Sequence, residues 1–249
     1  MTQENKTQGM VGGALTDIGL ARLLSIMAPE QKLGDDEIAV IRQIRPKIGL
    51  YAPRVEISVH GERSDTTYIV NSGWGCTYID LPDGSRQIAD FLLKGDIIGL
   101  RAIGSNWEES FYAIAELEVL ELPTDELNRA LSAAPSLAVR FLFALARNSA
   151  IRGEHIVNIG RRSAAVRLAH LLLELGTRLE NVGLADADGY DCPLTQHDLA
   201  DALGLTAIHV NRMLRELRQS SLLSFRNGKV KFVNKDSLAR FASFEADYL

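Results

Sequence analysis

Three arginines recur along one face of a segment near the carboxyl end of the chain. Arg212, Arg215 and Arg218 stand three residues apart, and guanidinium groups on a helix face suit DNA phosphates and the guanine edge in the major groove. Apolar residues recur between them at three- and four-residue steps, which predicts a helix with one buried face. The buried face comprises Val210, Met213, Leu214 and Leu217, and the outer face comprises Ala207, Ile208, Asn211, Arg212, Arg215 and Arg218.

The element that must position this helix is a second helix just before it. Leu194–Leu217 has the sequence LTQHDLADALGLTAIHVNRMLREL, with apolar stripes on both sides of a break at Gly204. Thr195 and Thr206 occupy N-cap positions, and Gly204 can adopt the positive φ of a tight turn. The segment therefore predicts a helix-turn-helix whose recognition helix is Thr206–Leu217.

The residues after the recognition helix extend this prediction. Two alternating runs within 222–232 are joined by Asn227-Gly228, the strongest short signal for a β-hairpin. A hairpin after a helix-turn-helix is typical of a winged helix, and Glu216 is the one acidic residue between Arg212 and Lys235. These features favour DNA binding over the alternative of an ordinary helical hairpin with a solvated basic face.

The whole-chain composition is that of a globular protein. The 249 residues are 46% hydrophobic and 24% charged, with a formal net charge of −5, so the basic carboxyl-terminal segment contrasts with an acidic background. Cys76 and Cys192 lack the spacing of a disulfide framework or a four-thiolate iron–sulfur cluster. The sequence shows neither a secretory signal nor an apolar run of membrane-spanning length, so we expect a cytoplasmic protein.

The amino-terminal half changes from helical to strand periodicity. Leu15–Met27 and Asp35–Ile44 repeat with helical spacing, and short alternating runs then fill residues 50–123. Turn clusters separate these runs, among them Asn71-Ser72-Gly73. Many short strands without intervening helices predict an antiparallel β-roll. A short helix, Thr124–Leu131, follows with Thr124 as its N-cap.

A longer helix extends from Pro135 to about residue 159. At about 37 Å it exceeds what a β-roll of this size needs for cover, so we predict that part of its apolar stripe pairs with a second copy, with Asn148 fixing the register. Gly160 begins the predicted hinge. A helix lying wholly on its own roll is the alternative. The predicted dimer-interface residues are Leu137, Phe141, Leu145, Asn148, Ile151, His155 and Ile159.

This order of elements resembles the CRP/FNR family of bacterial transcription regulators over residues 30–240. The helix-turn-helix motif and the run SGWGCTYIDLPDGSRQIADFLLKGDIIGL carry the resemblance. It implies a homodimer that places two recognition helices in successive major grooves of a palindromic operator on double-stranded DNA, with RNA polymerase as a further partner. The fold it implies is α+β, in four parts: a tail and helix at 1–30, a jelly-roll sensor like a cyclic-nucleotide-binding domain at 31–134, a dimerisation helix and hinge at 135–160, and a winged helix-turn-helix at 161–249.

The resemblance also suggests which residues contact DNA. Arg212 matches the arginine that reads guanine in the family, whereas Ala207 and Ile208 depart from a pattern that has glutamate there. Ile208 can instead pack on a thymine methyl. The predicted base-reading residues are Ile208, Asn211 and Arg212. The predicted phosphate contacts are Gln196, His197, Thr206, His209, Arg215, Arg218, Lys229 and Lys231.

The sensor departs from the nucleotide-binding branch of the family. Nucleotide binders follow the roll's glycine with glutamate and carry an Arg-Ser pair for the phosphate, but here Leu100 follows Gly99 and Glu109-Ser110 replaces the pair. A phosphate would therefore meet a carboxylate. We therefore expect that cAMP does not control this protein, that any effector is of another, unknown identity, and that no cofactor or metal is bound. Control by a cyclic nucleotide, or by a haem on Cys76 or His60, stays open as an alternative. The predicted effector pocket comprises Gly99, Leu100, Arg101, Ser110 and Arg152.

Two other classes of function compete with a DNA-binding regulator. An enzyme with a metal in the roll would need two or three histidines there, and His60 is the only one within residues 50–123. An effector-binding or protein-docking module without DNA readout is the other alternative. The arginine face and the basic wing favour DNA, so we predict a regulator without catalytic residues.

Overall fold

The computed structural model describes residues 13–29, 31–58, 65–99 and 110–249, with side chains described from residue 19 onward. The chain divides into two compact units. The first comprises Met1–Thr77 with Phe91–Ala146, and the second comprises Tyr78–Asp90 with Arg147–Leu249. The division therefore cuts the long helix in its middle and assigns one hairpin of the roll to the carboxyl-terminal unit, unlike the four-part division predicted from sequence.

The first unit combines three helices with a six-stranded sheet. The helices are α1 (Gly13–Met27), α2 (Asp35–Ile41) and α3 (Thr124–Ala133). The strands are β1 (Lys47–Tyr51), β2 (Glu56–Ser58), β3 (Thr66–Asp80), β4 (Arg86–Leu92), β5 (Ile97–Ile98) and β6 (Ser110–Pro123). The strand order is β1-β6-β3-β4, with β2 on β6 and β5 on β3. The β1–β6, β2–β6 and β3–β5 pairs are antiparallel, as expected for a roll.

One predicted turn in the roll is wrong. Asn71-Ser72-Gly73 lies inside β3, which is continuous from Thr66 to Asp80. Gly73 has φ +90° there, and a Cβ at this position would lie 1.9 Å from the Glu116 carbonyl oxygen of β6. The glycine therefore permits close approach of two strands rather than a chain reversal.

Residue Thr124 also has a different role from the one predicted. Pro123 is the N-cap of α3, and Thr124 is the first helical residue. The Thr124 amide donates to the Asp65 carbonyl oxygen at 2.9 Å. Asp65, the residue just before β3, thus accepts a hydrogen bond from one of the amides at the start of α3.

The long helix α4 (Pro135–Arg161) begins in the core of the first unit. Leu137, Phe141 and Ala144 are buried there with residues from α1, α2, α3 and β6. Arg140 is also buried, and its Nε donates to Glu37 Oε1 at 2.9 Å. The hydrogen bond from Arg140 holds the pKa of Glu37 below its usual range, so this buried pair fixes the start of α4 against α2.

The second unit contains the rest of α4 and the winged helix. Its further elements are α5 (Ala164–Asn181), β7 (Gly189–Asp191), α6 (Gln196–Leu203), α7 (Ala207–Gln219), β8 (Leu223–Arg226), β9 (Lys229–Phe232) and α8 (Lys235–Ala242). Helix α4 continues through Gly160, so the helical break falls between Arg161 and the α5 N-cap, Ser163. The predicted hairpin is confirmed, and β7 joins it to form a β7-β9-β8 sheet. Strand β7 and helix α8 had no clear sequence signal.

Within the described residues, no single helix is long and apolar enough to cross a membrane; α3 and α4 pass that test only as a pair, which is bent by 120°. Cys76 and Cys192 are both buried, and neither forms a disulfide. Burial raises the pKa of the Cys192 thiol to about 12, so this cysteine is an inert core residue.

Candidate nucleic-acid interface

The helix-turn-helix forms as predicted, and both helices are capped by threonines. The Thr195 amide donates to Asp198 Oδ2 at 2.8 Å, and the Asp198 amide donates back to Thr195 Oγ1 at 3.2 Å. This reciprocal capping box satisfies two amides at the start of α6. Thr206 Oγ1 accepts from the His209 amide at 3.3 Å and caps α7. The recognition helix therefore begins where the sequence predicted.

The turn between the two helices depends on Gly204. This residue is the C-cap of α6 and has φ 61° and ψ 41°, a left-handed conformation that costs other residues energy. The Leu205 amide donates to the Ala200 carbonyl oxygen at 3.1 Å and closes the turn. The chain then enters α7 in a direction fixed by backbone geometry.

Helix α7 separates buried apolar residues from exposed polar ones. Val210, Met213, Leu214 and Leu217 are buried. Ile208 is 81% exposed, and its neighbours His209, Asn211, Arg212, Arg215 and Arg218 are also exposed. None of the described ion pairs engages the three arginines of α7. Their guanidinium groups are thus available for an external anion.

The wing adds further cations beside this helix. Asn227 and Gly228 have φ values of 51° and 69°, the positive φ values expected at both central residues of a type I′ turn between β8 and β9. Lys229 and Lys231 are exposed on β9. Lys229 Nζ lies 3.5 Å from Asp191 Oδ1, an exposed pair that DNA phosphates can replace at small cost.

The remaining predicted phosphate contacts lie at the amino ends of the two helices. Gln196 and His197 are exposed in the first turn of α6, and Thr206 is exposed at the start of α7. Helix amino termini present unpaired amides and a partial positive charge to an anion. The structure therefore leaves all of the predicted phosphate contacts exposed to solvent, and their contact with DNA stays a prediction.

Four of the seven residues predicted for the dimer interface on α4 are already buried or hydrogen-bonded within one protomer, and the interface itself stays a prediction. Leu137, Phe141 and Ile151 are buried within one protomer, and His155 bonds to residues of its own protomer. Leu145 is exposed, while Asn148 and Ile159 are half-buried. The exposed large apolar residues of α4 are Val139, Leu142, Phe143, Leu145, Ile156 and Val157. The helix carries two apolar faces, and its periodicity alone cannot tell which one meets the same chain.

The predicted effector pocket stays a prediction. Leu100 and Arg101 lie outside the described residues, as does His60, the proposed haem ligand. Gly99 has φ +77° and Ser110 is buried at the start of β6. Arg152 is exposed on α4. Cys76, the other proposed haem ligand, is fully buried in β3.

A cluster of four charged side chains lies on elements other than α7 in the second unit. Asp90, His155 and Glu174 offer ligand atoms within 4.8 Å of one another, the residue types that bind transition metals. Arg178 Nη1, however, donates to Asp90 at 3.1 Å and to Glu174 at 3.4 Å. Both carboxylates therefore already face a cation. We call these four residues the charge cluster.

Sequence reasoning missed this cluster entirely. Asp90 lies on β4, His155 on α4, and Glu174 and Arg178 on α5, so no local pattern unites them. A weak signal was available in α5, where Glu174 and Arg178 stand four residues apart in a leucine-rich part of the helix. It indicates a buried ion pair but not its partners.

Comparison with known families agrees with this geometry. Residues 166–241 match the Crp-like helix-turn-helix domain family, and residues 50–134 match the cyclic nucleotide-binding domain family. The first match covers α6, α7 and the wing. The second covers most of the six-stranded sheet together with α3.

Individual proteins agree with both matches. The nitrogen fixation regulation protein FixK of Rhizobium meliloti is 31% identical over 194 residues, which cover 78% of this chain and 85% of FixK. The fumarate and nitrate reduction regulatory protein of Escherichia coli is 28% identical over 185 residues, 73% of each chain. The structure of FixK2 from Bradyrhizobium japonicum has a TM-score of 0.73 at 28% identity and covers 81% of this chain and 99% of that one. The chain has a capped helix-turn-helix, a basic wing and a roll, and its relatives match it over most of its length. It therefore belongs to the CRP/FNR family of DNA-binding transcription regulators.

Proposed function

We propose that this regulator reads a palindromic operator through Ile208, Asn211 and Arg212 as a homodimer, without control by cAMP. The observation that carries the proposal is the face of α7, where an 81% exposed isoleucine lies beside exposed arginines over a fully packed apolar side. An arginine can donate two hydrogen bonds to O6 and N7 of guanine, and an isoleucine can contact a thymine methyl. The half-site should therefore combine a G·C pair with an adjacent A·T pair.

Phosphate contacts would fix the register of α7 in the groove. Gln196, His197 and Thr206 lie at helix amino ends, and Lys229 and Lys231 lie on the wing. His209, Arg215 and Arg218 complete the set on α7. Such contacts supply affinity without sequence preference.

We assign the dimer contact to a different face of α4 from the one predicted. Exposed residues recur there at alternating four- and three-residue steps, the spacing of a two-stranded coiled coil. They are Leu142, Ala146, Ser149, Gly153, Ile156 and Gly160. Leu142 is 62% and Ile156 73% exposed in the single chain. A Cβ on Gly153 or Gly160 would meet nothing within 4 Å, so packing within one chain does not require these glycines, whereas close approach of a second helix would.

Replacing one of these glycines tests the dimer face. Gly153→Glu places a charge at the proposed contact, and we expect it to shift the protein from dimer to monomer at micromolar concentration. Ala133→Glu, at an exposed position on α3, is the control and should stay dimeric. Sedimentation velocity measures both. A dimeric Gly153→Glu variant with unchanged dissociation constant would reject this face.

The proposed independence from cAMP rests on residues near Gly99 that differ from those of the nucleotide-binding members of the family. Leu100 offers no acceptor to a ribose hydroxyl, and Glu109 would repel a phosphate. An effector of other chemistry stays compatible with the roll. We also propose RNA polymerase as a partner and the cytoplasm as the location, because these follow from regulating transcription.

Selection of duplexes from a random pool tests the proposed function. We expect enrichment of an inverted repeat whose half-sites lie about one helical turn apart, and the same enrichment with cAMP added. Enrichment that appears only with cAMP would overturn the assignment of the sensor. Binding without any sequence preference would favour the protein-docking alternative.

A further inference from the structure

The hairpin between β3 and β4 packs with the DNA-binding domain. Residues Tyr78–Asp90, which we call the flap, form one compact unit with residues 147–249. The strands of the flap continue into the sheet of the roll. The flap is therefore covalently continuous with strands of the roll and belongs to the same compact unit as the helix-turn-helix.

Two neighbouring residues of the flap hold helix α6 along its length. Arg86 Nε donates to Asp201 Oδ2 at 2.7 Å, and Arg86 Nη2 donates to Asp198 Oδ1 at 3.2 Å. Gln87 Nε2 donates to the Ala202 carbonyl oxygen at 3.1 Å, near the carboxyl end of the helix. Asp198 is also the carboxylate of the α6 capping box, so Arg86 contacts the group that starts the helix-turn-helix.

The last residue of the flap enters the charge cluster. Asp90 is buried and accepts from Arg178 of α5. His155 Nδ1 lies 3.1 Å from the carbonyl oxygen of Ala89, and its Nε2 lies 3.0 Å from both carboxylate oxygens of Glu174. Both neighbours of the ring accept hydrogen bonds, so both ring nitrogens must carry protons. His155 thus joins the flap to α5 as an imidazolium.

The charges of the cluster cancel only when His155 is protonated. Asp90 and Glu174 then balance His155 and Arg178, which is the condition for burying four charges together. A divalent metal in place of the Nε2 proton would lie beside Arg178, which contacts both carboxylates. The arrangement therefore favours a proton over a metal ion.

Other groups near His155 come from three elements. His170 of α5 is buried, and burial with the nearby Arg162 cation lowers its pKa to about 4, so it is neutral. Glu154 of α4 pairs at 2.8 Å with Arg162, which follows the last residue of that helix. Tyr248 near the carboxyl terminus donates to Glu174 Oε2 at 3.2 Å, and burial raises its pKa above the usual range. None of these groups takes over the proton of His155 near neutral pH.

We propose that the flap is a positioning element for DNA recognition: Arg86 and Gln87 orient α6, and the charge cluster around protonated His155 keeps the flap attached to α5. While the flap is attached to α5, the outer face of α7 and the lysines of the wing remain exposed to solvent. Attachment would therefore lower the cost of ordering the recognition helix for the groove. Deprotonation of His155 would leave two carboxylates with one cation and release the flap. The proposal rests on the proposed operator recognition.

Charge reversal at Arg86 tests the positioning role. Arg86→Glu would place a carboxylate beside two aspartates, and we expect at least a tenfold loss of operator affinity with unchanged affinity for random DNA. Pairing it with Asp201→Arg should restore most of the loss. Arg129→Glu, an exposed change on α3, is the matched control and should leave both affinities unchanged. Unchanged or tighter operator binding by Arg86→Glu would overturn the proposal.

The pH profile tests the charge cluster. For the wild type, the ratio of operator to random-DNA affinity should fall between pH 7 and 9. For His155→Gln it should be low and independent of pH. Hydrogen exchange without DNA provides a separate readout, since amides of residues 78–90 should exchange faster in both variants. If the wild type selects an operator, but Arg86→Glu and His155→Gln match it in hydrogen exchange and His155→Gln also matches its pH profile, the role of the flap is rejected while the proposed operator recognition stands. If the wild type selects no operator, the proposed operator recognition itself is rejected.

Discussion

Two groups of arginine and histidine residues in the second unit have opposite environments. On α7, Arg212, Arg215 and Arg218 are exposed and lie over a packed apolar face. In the charge cluster, Arg178 and His155 are buried or largely buried and face the carboxylates of Asp90 and Glu174. The first group keeps its charge for an external anion, whereas the second group uses its charge inside the protein.

The difference shows that residue type alone does not decide the role of a cation. An exposed guanidinium keeps its hydration and exchanges it for a phosphate at small cost. A buried guanidinium needs acidic or hydrogen-bonding partners to offset its lost hydration. Removing one partner leaves an uncompensated charge in the low-dielectric interior of the protein. We therefore expect substitutions in the cluster to change stability, and substitutions on α7 to change DNA binding.

The largest expected effect is the loss of the buried carboxylate. Glu174→Ala would leave Arg178 and His155 with one acidic partner, and removing one member of a buried ion pair costs about 3–5 kcal/mol. Chemical denaturation at pH 7 measures the loss. The exposed Glu216→Ala on α7 is the control. A Glu174→Ala protein within about 1 kcal/mol of the wild type would contradict the view that the cluster is a stabilising network.

The second effect is a fall in stability with rising pH. Burial alone would lower the pKa of His155, but the charge and hydrogen bond of Glu174, together with Asp90 and the Ala89 carbonyl oxygen, outweigh it and raise the pKa to about 9. The folded state thus holds the proton more tightly than the unfolded chain, where the pKa is near the ordinary 6.5. The contribution is complete below about pH 6.5 and is lost as the pH rises to about 9, by at most about 3 kcal/mol.

Denaturation of the wild type and of His155→Gln at several pH values isolates this contribution. The difference in the free energy of unfolding between the two proteins should shrink from pH 6.5 to pH 9. A difference that stays constant over this range would mean that His155 is not charged in the folded protein.

The third effect is confined to DNA with the right sequence. Arg212→Ala should weaken operator binding by about 1–3 kcal/mol through loss of the paired hydrogen bonds to guanine, with unchanged stability. Fluorescence anisotropy on the selected operator and on random duplex measures the difference. Equal losses on both duplexes would make Arg212 a phosphate contact instead of a base reader.

The smallest effect concerns the wing. Lys229→Ala should weaken binding to all duplexes alike and reduce the dependence of log affinity on log salt concentration by about one unit. Its present partner, Asp191, is exposed, so folding should change little. A salt dependence equal to that of the wild type would exclude Lys229 from the DNA contact.

Local patterns predicted the DNA-binding segment well. The caps Thr195 and Thr206, the turn at Gly204 and the hairpin at Asn227-Gly228 each depend on residues a few positions apart. Propensity and side-chain spacing therefore suffice to define them. The roll was predicted as a class of fold, although Gly73 was misassigned because a positive φ occurs in strands as well as in turns.

The sequence by itself determined that a basic helix would lie exposed after a tight turn, because helical periodicity separates apolar from charged residues within a dozen positions. Only the tertiary structure decided which face of α4 is covered by its own chain and which is exposed, since Leu137 and Leu142 have equally apolar side chains. It also decided that Asp90, His155, Glu174 and Arg178 meet. They come from three separate elements, and whether a charge is buried depends on contacts between distant residues, which no local pattern records.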